Sequence, residues 1–362
     1  LFAKTIINIF SKEGDYILDP FMGGGTSIIE AIKNGRNIIG NDINSLSYFL
    51  AKTKSQKLSK NDRSALKKWF ETIIDSTNIS DIKKVNKINL PKHMSRPSVK
   101  KYMQWIEFYI KKTKKLKTEK QRNFCLLVLL RVSKRVLDAH KVPLGIQKFR
   151  NLLVKYFYEA LDASSTYSNN IIALKKSRKK LNSLKIDLYN DHAVNLGNNI
   201  KIKRKKPKLI VTSPPYPGVN INYNRWQLNG TLDTDLPYYI INKKEENQNT
   251  YFHFGSNSLS DGLTKKYMQN ALEVYKSLNN VLADNGYLVQ LVGFADIPSQ
   301  FNFFLNVLSL AGFHELKIKK LNGKGDGRIW RQVPSRKWHA TQKGKLQSSN
   351  EVLLIHKKIR VN

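Results

Sequence analysis

The fold is decided by the stretch Asp19-Pro20-Phe21-Met22-Gly23-Gly24-Gly25-Thr26. It begins inside the apolar segment 16–21, which predicts a strand, and it leads into a predicted helix over 27–34. Residues 37–43 predict a second strand. A strand, a glycine-rich turn, a helix and another strand in this order are typical of the opening of a doubly wound α/β sheet.

The same α/β pattern resumes at residue 185 and completes the predicted sheet. Strands are predicted over 185–188, 209–212, 287–292, 314–321 and 351–356, and helices over 264–282 and 301–310. With the two opening strands this makes about seven strands. Residues 217–262 are rich in Asn, Tyr, Gly and Thr and predict a long loop region of functional importance.

A large helical insertion separates the two halves of the sheet. Residues 54–184 contain few strand patterns and predict four helices, over 62–75, 98–117, 120–138 and 145–163. The sequence therefore predicts three segments. These are a first part of the sheet domain over 1–53, the insertion over 54–184, and a second part of the sheet domain over 185–362.

The charge of the chain points to nucleic acid. Its 63 Lys and Arg outweigh 27 Asp and Glu, for a net charge of +36. Residues 54–184 hold 32 Lys and Arg against 9 Asp and Glu, so the insertion carries +23 of this excess. An AT-rich genome would raise lysine everywhere, whereas a local excess predicts a phosphate-binding surface. The densest runs are 111–115 and 175–180.

A single cysteine limits the chemistry of the chain. Cys125 lies in the apolar run 124–130, which predicts a buried structural thiol. This run is too short to span a bilayer. One cysteine excludes an internal disulfide and a cysteine-based zinc site. No secretory signal is visible, so a cytoplasmic protein without a membrane partner is expected. The chain starts at Leu1 rather than Met, and we expect that residues upstream are missing.

Two features suggest a nucleoside-containing cofactor. The glycine turn lets a ligand approach the backbone, and the helix after it favours a carboxylate. The turn lacks the Gly-Lys-Ser/Thr of a phosphate loop and the spacing of a dinucleotide fingerprint. Asp42, 17 residues beyond Gly25, ends the second strand and suits ribose hydroxyls. A tight connection and a helix cap are the alternative interpretations.

The segment Thr212-Ser213-Pro214-Pro215-Tyr216 follows a predicted strand. Its two prolines remove donors and fix the backbone, so the Pro214 carbonyl has no local donor. With the Ser213 hydroxyl and the flat face of Tyr216, this carbonyl suits an amino group on a planar base. An ordinary proline-rich turn is the alternative.

Together these motifs resemble those of the amino-methylating DNA methyltransferases, especially the cytosine-N4 type. The resemblance rests on Asp-Pro-Phe-x-Gly-x-Gly-Thr at 19–26 and on 212–219, and it extends to 223–227 and Arg328-Ile329-Trp330-Arg331. It implies a class I, Rossmann-like methyltransferase sheet of about seven strands that uses S-adenosylmethionine. It departs from the family at Gly24, where Ser is common, in the absence of the upstream cofactor motif, and in its large insertion.

The resemblance also implies site residues. The cofactor set is Asp19, Pro20, Phe21, Gly23, Gly25, Thr26, Asp42, Ile43, Asp191 and His192, with Asp42 at the ribose and Asp191 at the adenine amine. The catalytic set is Ser213, Pro214, Pro215 and Tyr216, in which Ser213 and Pro214 accept hydrogen bonds from the target amine and Tyr216 stacks on the flipped base. No metal is expected.

The expected reaction is methylation of cytosine N4 in double-stranded DNA, within a restriction–modification system that includes a cognate endonuclease. Carbon-5 methylation needs a cysteine nucleophile, and the catalytic loop has none. Adenine-N6 methylation, methylation of an RNA base amine, and a nucleic-acid-binding protein with a decayed site remain as alternatives.

Overall fold

The computed structural model describes residues 2–76, 97–138, 143–177, 184–218, 226–228, 232–243, 261–321, 325–333 and 350–359. By their contacts the residues divide into two compact units. The sheet unit comprises Leu1–Ala51, Arg178–Ile221 and Glu246–Asn362, and the helical unit comprises Lys52–Ser177 and Asn222–Glu245. Among the described helices, none is both long and apolar enough to cross a membrane.

The sheet unit is built from the following elements in chain order. They are α1 (Phe2–Phe10), β1 (Tyr16–Asp19), α2 (Thr26–Lys33), β2 (Asn37–Asn41), α3 (Ser45–Ser55, which continues into the helical unit), β3 (Ile186–Tyr189), a 3-10 turn (Ala193–Asn198), α8 (Ile200–Lys205), β4 (Leu209–Thr212), α10 (Asp261–Val281), β7 (Tyr287–Gly293), α11 (Ile297–Leu310), β8 (Phe313–Glu315), a second 3-10 turn (Lys319–Leu321), β9 (Ile329–Gln332) and β10 (Asn350–Lys358).

The helical unit contains the remaining elements. They are α4 (Lys60–Ser76), α5 (Pro97–Thr113), α6 (Glu119–Leu137), α7 (Ile146–Ser177), β5 (Trp226–Leu228), β6 (Leu232–Thr234) and α9 (Leu236–Ile240).

The strand order of the sheet confirms the predicted fold class. Along the sheet the order is β3-β2-β1-β4-β7-β10-β8, and β9 pairs with β10. The first five strands run parallel and β10 runs antiparallel to β7. The helical insertion lies between β2 and β3 in the chain. The result is a mixed α/β sheet whose central strands β1, β4 and β7 are buried runs of aliphatic residues.

Close packing of helix α2 on the sheet depends on Gly40, a glycine within β2. A Cβ atom at Gly40 would lie 2.6 Å from the Cδ1 atom of Ile28 and 2.7 Å from the sulfur of Met22. A larger residue at this position would force the ends of these two side chains to move. Gly40 therefore lets side chains of α2 and of the glycine turn pack directly on the strand.

One predicted strand is much shorter than expected. The prediction over 314–321 is wrong beyond residue 315, although the Leu316 amide still donates to the Ile355 carbonyl at 2.8 Å. The reason is competition for one edge of β10, because β8 pairs with residues 356–358 and β9 pairs with residues 350–353. The second partner, β9, was absent from the prediction.

The helical unit has an aromatic core of its own. The rings of Phe70 on α4 and Phe157 on α7 stack with centroids 3.8 Å apart, and Phe124 on α6 meets Phe157 edge-on at 5.7 Å. Cys125 is fully buried in the same helix as Phe124, as predicted. A capping box formed by Thr118 and Gln121 starts α6.

The last helix of the insertion is longer than its local sequence indicates. The predicted helix over 145–163 extends to Ser177. Two buried side chains beyond residue 163 bond to the start of the insertion, since the Tyr167 hydroxyl donates to the Ser55 carbonyl at 3.0 Å and the Ser168 hydroxyl to the Leu58 carbonyl at 3.1 Å. Tertiary contacts therefore outweigh the weak helix propensity of this stretch.

The predicted loop region over 217–262 contains regular structure where it is described. Residues 226–228 and 232–234 form an antiparallel pair in the helical unit, with Trp226 and Leu228 buried. The Gln227 amide donates to the Asp138 carboxylate at 2.8 Å. The prediction of a loop is therefore wrong for β5, β6 and α9. These three elements are too short for hydrophobic periodicity to identify them.

Candidate active site

Four predicted motifs lie at one edge of the sheet. The parallel strands β1, β2, β3 and β4 end at Asp19, Asn41, Tyr189 and Thr212, and each is followed by a segment singled out in the sequence. In doubly wound sheets ligands bind at the carboxyl ends of the strands. The structure therefore brings the two predicted sets of site residues to the same edge of one sheet.

The glycine turn has a backbone that only glycine adopts without strain. Gly23 and Gly25 have φ angles of 48° and 80°. A Cβ atom at Gly25 would also lie 3.0 Å from the Cα atom of Ala51 in α3. Helix α2 starts at Thr26, and no described side chain caps it. The turn thus presents the first amides of α2 at the carboxyl edge of the sheet.

Asp42 meets the glycine turn directly. Its carboxylate accepts a hydrogen bond from the Gly23 amide at 2.8 Å and another from the Asn44 amide at 2.9 Å, and the residue is buried. Ile43 follows it and is half-buried. The side chain predicted to hold a ribose therefore also fixes the shape of the turn.

The segment after β3 is organised by its own polar side chains. The exposed Asp191 accepts from the His192 amide at 2.7 Å and from the Asn195 side chain at 2.8 Å. The Nδ1 atom of His192 accepts from the Val194 amide at 3.3 Å and caps the 3-10 turn. Asp191 is therefore available at the edge, whereas His192 has a local structural contact.

Two asparagines that the sequence analysis missed join these loops. The fully buried Asn41 side chain donates to the Pro20 carbonyl at 3.3 Å and to the Asp191 carbonyl at 3.0 Å. Asn190 donates to the carbonyls of Asp42 and Ile43, both at 2.9 Å. Asparagine at a strand end usually indicates a turn. Its partners here are remote in sequence, so no local signal could have identified this role.

Asp19 points into the protein rather than towards the edge. Its carboxylate accepts hydrogen bonds from the hydroxyl of Ser27 on α2, from the hydroxyl of Thr212 on β4 at 2.7 Å, and from the Phe21 amide at 3.1 Å. Burial raises the pKa of this carboxyl to about 6, although the three hydrogen bonds act in the opposite direction. Asp19 thus links the glycine turn to the strand that carries the other motif.

Hydrogen bonds hold the second half of the Ser213–Tyr216 loop and the residue after it. Tyr267 on α10 donates its hydroxyl to the Pro215 carbonyl, and the Ala295 amide donates to the Pro217 carbonyl at 3.1 Å. Tyr267 is fully buried, and burial raises its pKa far above the ordinary value. In the sequence it was one more residue on the apolar face of a helix.

Two acceptors of the same loop are left open. Ser213 is exposed, and among the described residues neither its hydroxyl nor the Pro214 carbonyl takes part in a hydrogen bond. Tyr216 is half-buried and donates its hydroxyl to the buried Glu351 at 3.1 Å. Among the described residues, the loop thus has two adjacent oxygens that accept no hydrogen bond, one on the exposed Ser213 and one on the buried Pro214, beside the Tyr216 ring.

The motif Arg328–Arg331 forms β9 and the segment before it. Arg328 makes two hydrogen bonds to the Glu315 carboxylate, at 2.6 and 2.8 Å, and another to Asp326. Arg331 binds Glu351 at 2.6 Å. This motif is thus built of ion pairs that hold the last strands. Of the related stretch 223–227, residues 223–225 lie outside the described residues.

The helical unit carries the first predicted basic run and the start of the second. Lys111, Lys114 and Lys115 are exposed at and beyond the end of α5. Residues 178–180 of the second run lie outside the described residues. Several acidic side chains of the unit already pair with lysine or arginine, among them Asp62 with Lys120 and Glu159 with Arg131.

Comparison with known proteins adds a partial match. A family model described as DNA methylase matches residues 1–53. The chain is 35% identical over 80 residues to the type II methyltransferase M.MjaII of Methanocaldococcus jannaschii, which is 21% of this chain and 14% of that protein. It is 49% identical over 41 residues to the type II methyltransferase M.MthZI of Methanothermobacter thermautotrophicus, 11% of this chain and 12% of that protein. The matched stretches are thus a small share of both relatives.

Among solved structures, the chain aligns with TrmN from Thermus thermophilus at 11% identity and a TM-score of 0.35, over 99% of this chain and 48% of that one. The family match covers β1, the glycine turn, β2 and Asp42. The segment that resembles DNA methylases is therefore the one that ends in the candidate cofactor site.

Proposed function

We propose that this chain transfers a methyl group from S-adenosylmethionine to the N4 amino group of cytosine in double-stranded DNA. The observation that carries the proposal is the pair of oxygens on Ser213 and Pro214 that accept no hydrogen bond from the part of the chain that the structure describes. It lies at the same sheet edge as the glycine turn and Asp42. The DNA methylase match over residues 1–53 supports methylation of DNA.

The residues at the edge fit S-adenosylmethionine by their chemistry. The uncapped first turn of α2, which begins at Thr26, offers amides to the methionine carboxylate, and Phe21, Gly23 and Gly25 shape the turn before it. After β2, Asp42 and Ile43 suit the ribose. The exposed Asp191, followed by His192, suits the adenine amine. Asp19 and Pro20 link the glycine turn to the ends of β4 and β2, because they accept hydrogen bonds from Thr212 and Asn41.

Each group at the catalytic loop has a defined task. An exocyclic amine is a poor nucleophile because its lone pair is delocalised into the base. The Ser213 oxygen and the Pro214 carbonyl accept hydrogen bonds from its two N–H groups and favour a tetrahedral nitrogen. Tyr216 stacks on the base. S-adenosylmethionine, when bound, supplies an electrophilic methyl group. Pro215 keeps the loop rigid, so catalysis depends on positioning and electrostatics.

Carbon-5 methylation does not suit this chain. That reaction needs a thiolate at the base, whereas Cys125 lies inside the helical unit and is fully buried. Burial also raises the pKa of the Cys125 thiol far above the ordinary value.

The helical unit serves DNA binding in this proposal. A base within a duplex must be flipped out before its amine can react, which costs a few kcal/mol. The excess of lysine over 54–184 binds the phosphate backbone and offsets this cost. In the predicted organisation, residues 1–53 and 185–362 carry the methyl transfer and residues 54–184 carry target recognition. A cognate restriction endonuclease is the proposed partner of the modification.

Adenine-N6 methylation is the second candidate, because the same pair of acceptors accommodates any exocyclic amine. Incubation with tritiated S-adenosylmethionine and unmodified DNA, followed by nucleoside analysis, tests both. N4-methylcytosine is the expected product, and N6-methyladenine would select the alternative. A parallel incubation with RNA tests the RNA substrate. Absence of label in both nucleic acids despite cofactor binding would contradict methyl transfer altogether.

A further inference from the structure

Glu351 is a buried carboxylate at the edge of the sheet that carries the candidate site. It lies near the start of β10 and pairs in register with Gly293 of β7 and Arg331 of β9. Only 5% of the residue is exposed. One carboxylate oxygen accepts the Tyr216 hydroxyl at 3.1 Å, and the other accepts two N–H groups of Arg331, at 2.9 and 2.6 Å.

The two oxygens of Glu351 face different partners. A buried carboxylate is costly unless its charge is paired. Arg331 pairs it through the second oxygen, and the Arg331 side chain remains 53% exposed. The first oxygen is turned to Tyr216, a residue 135 positions away in the chain. The ion pair with Arg331 uses only the second oxygen. The contact of the first oxygen with the Tyr216 hydroxyl therefore restrains the tyrosine side chain.

The contact with Glu351 holds the far end of the Tyr216 side chain. The backbone on either side of Tyr216 is held at the Pro215 and Pro217 carbonyls by Tyr267 and Ala295. These bonds set where the ring begins but not the direction in which it extends. The phenol oxygen lies at the far end of the ring axis, so a hydrogen bond to it restricts the first side-chain torsion and thereby the direction of the ring.

We infer that Glu351 is a positioning residue that sets the position of the Tyr216 ring before the target base arrives. Arg331 holds the Glu351 carboxylate in place. This inference rests on the proposed function, in which Tyr216 stacks on the flipped base. A ring that is already oriented spares the transfer step the cost of ordering it.

Single-turnover methyl transfer from tritiated S-adenosylmethionine to unmodified genomic DNA tests the inference on the full chain. Tyr216→Phe keeps the ring and removes only the hydroxyl. Glu351→Met removes the acceptor, and Glu351→Gln retains an acceptor oxygen of the same reach. The matched control is Glu315→Met, which breaks the ion pair with Arg328 on the same strands without contacting the loop.

We expect Tyr216→Phe and Glu351→Met each to lower the transfer rate roughly tenfold. The Tyr216→Phe/Glu351→Met double variant should be no slower than either, since both remove one contact. Glu351→Gln keeps one acceptor oxygen for two donors, Tyr216 and Arg331, so its rate should fall less than that of Glu351→Met. The dissociation constant for S-adenosylmethionine and the rate of Glu315→Met should not change.

Two results separate the inference from the function it rests on. An unaltered chain that binds S-adenosylmethionine but labels no DNA would remove the proposed function and the inference together. An active chain whose Tyr216→Phe variant keeps its rate, or whose two substitutions multiply in the double variant, would overturn the role of Glu351 alone. Tyr216→Phe gives this answer even if substitutions at Glu351 prevent folding.

Discussion

The hydroxyl of Tyr267, on α10, donates a hydrogen bond to the carbonyl of Pro215. The Pro215 carbonyl is thereby occupied, whereas among the described residues the Pro214 carbonyl accepts no hydrogen bond. We expect Tyr267→Phe to leave a buried carbonyl without its donor and to lower the free energy of unfolding by about 1–3 kcal/mol. Denaturant unfolding measures this loss. Tyr275→Phe, which removes the buried bond to Gln290, is the matched control for stability, and only Tyr267→Phe should slow methyl transfer.

Ser213→Ala removes one of the two open acceptors. We expect methyl transfer to fall at least a hundredfold because the target amine loses a partner in the transition state. The dissociation constant of S-adenosylmethionine, measured by calorimetry, should stay within about twofold. Near-normal transfer by this variant would exclude the loop from catalysis.

Asp42→Ala addresses the cofactor half of the site. The substitution removes the proposed ribose acceptor and the bond to the Gly23 amide, so the dissociation constant for S-adenosylmethionine should rise at least tenfold. Asp284→Ala, at a half-exposed carboxylate in the turn before β7, is the control. Equal affinities of the two variants would reject the role of Asp42.

The buried Asp19 predicts a pH dependence of stability. Burial raises the pKa of its carboxyl from 3.8 to about 6 in the folded chain. Between these values the unfolded chain has lost the proton that the folded chain keeps, so the contribution of Asp19 to stability declines as the pH rises from about 4 to about 6. The change amounts to about 3 kcal/mol.

Asp19→Asn should remove this dependence, because an amide bonds to Ser27 and Thr212 without titrating. Denaturant unfolding at several pH values between 4 and 7 compares the two proteins, and the variant should gain stability relative to the unaltered chain towards pH 7. Parallel curves for the two proteins would contradict the raised pKa.

The basic run 111–115 should contribute to DNA affinity. Reversing the charge of its four lysines, Lys111, Lys112, Lys114 and Lys115, should weaken DNA binding and reduce the slope of log affinity against log salt by about 0.9 for each phosphate that the variant no longer neutralises. The matched control reverses four exposed cations of α8 and its end, before β4: Lys201, Lys203, Arg204 and Lys206. Identical slopes for both sets would assign the effect to net charge alone.

The central strands were predictable because they are short aliphatic runs between turns. Leu209–Thr212 is buried at every position and was predicted over its full length. Edge strand β9 was not, because its residues are mostly exposed and mix aromatic, basic and amide side chains. Exposure on both faces removes the alternation that identifies a strand.

The motifs at the site were predictable, but the contacts that hold them were not. Asn41, Tyr267 and Glu351 bond to Asp191, Pro215 and Tyr216, at separations of 150, 52 and 135 residues. Hydrogen bonds over such distances leave no local pattern. The same limit applied to Asp19, whose place in the predicted cofactor set gave no indication of its bond to Thr212 across 193 residues.

The bond between Asp19 and Thr212 also has a consequence for biosynthesis. Strand β4 pairs with β1, yet the ribosome makes it only after the whole helical insertion. Chains grow at roughly 5–20 residues per second, so β1 waits many seconds with one edge open. During that time the emerging chain carries β1 and the glycine turn, and the Asp19 carboxylate lacks its partner from β4. An unpaired strand edge can pair with other chains, so this interval exposes the growing chain to misassembly.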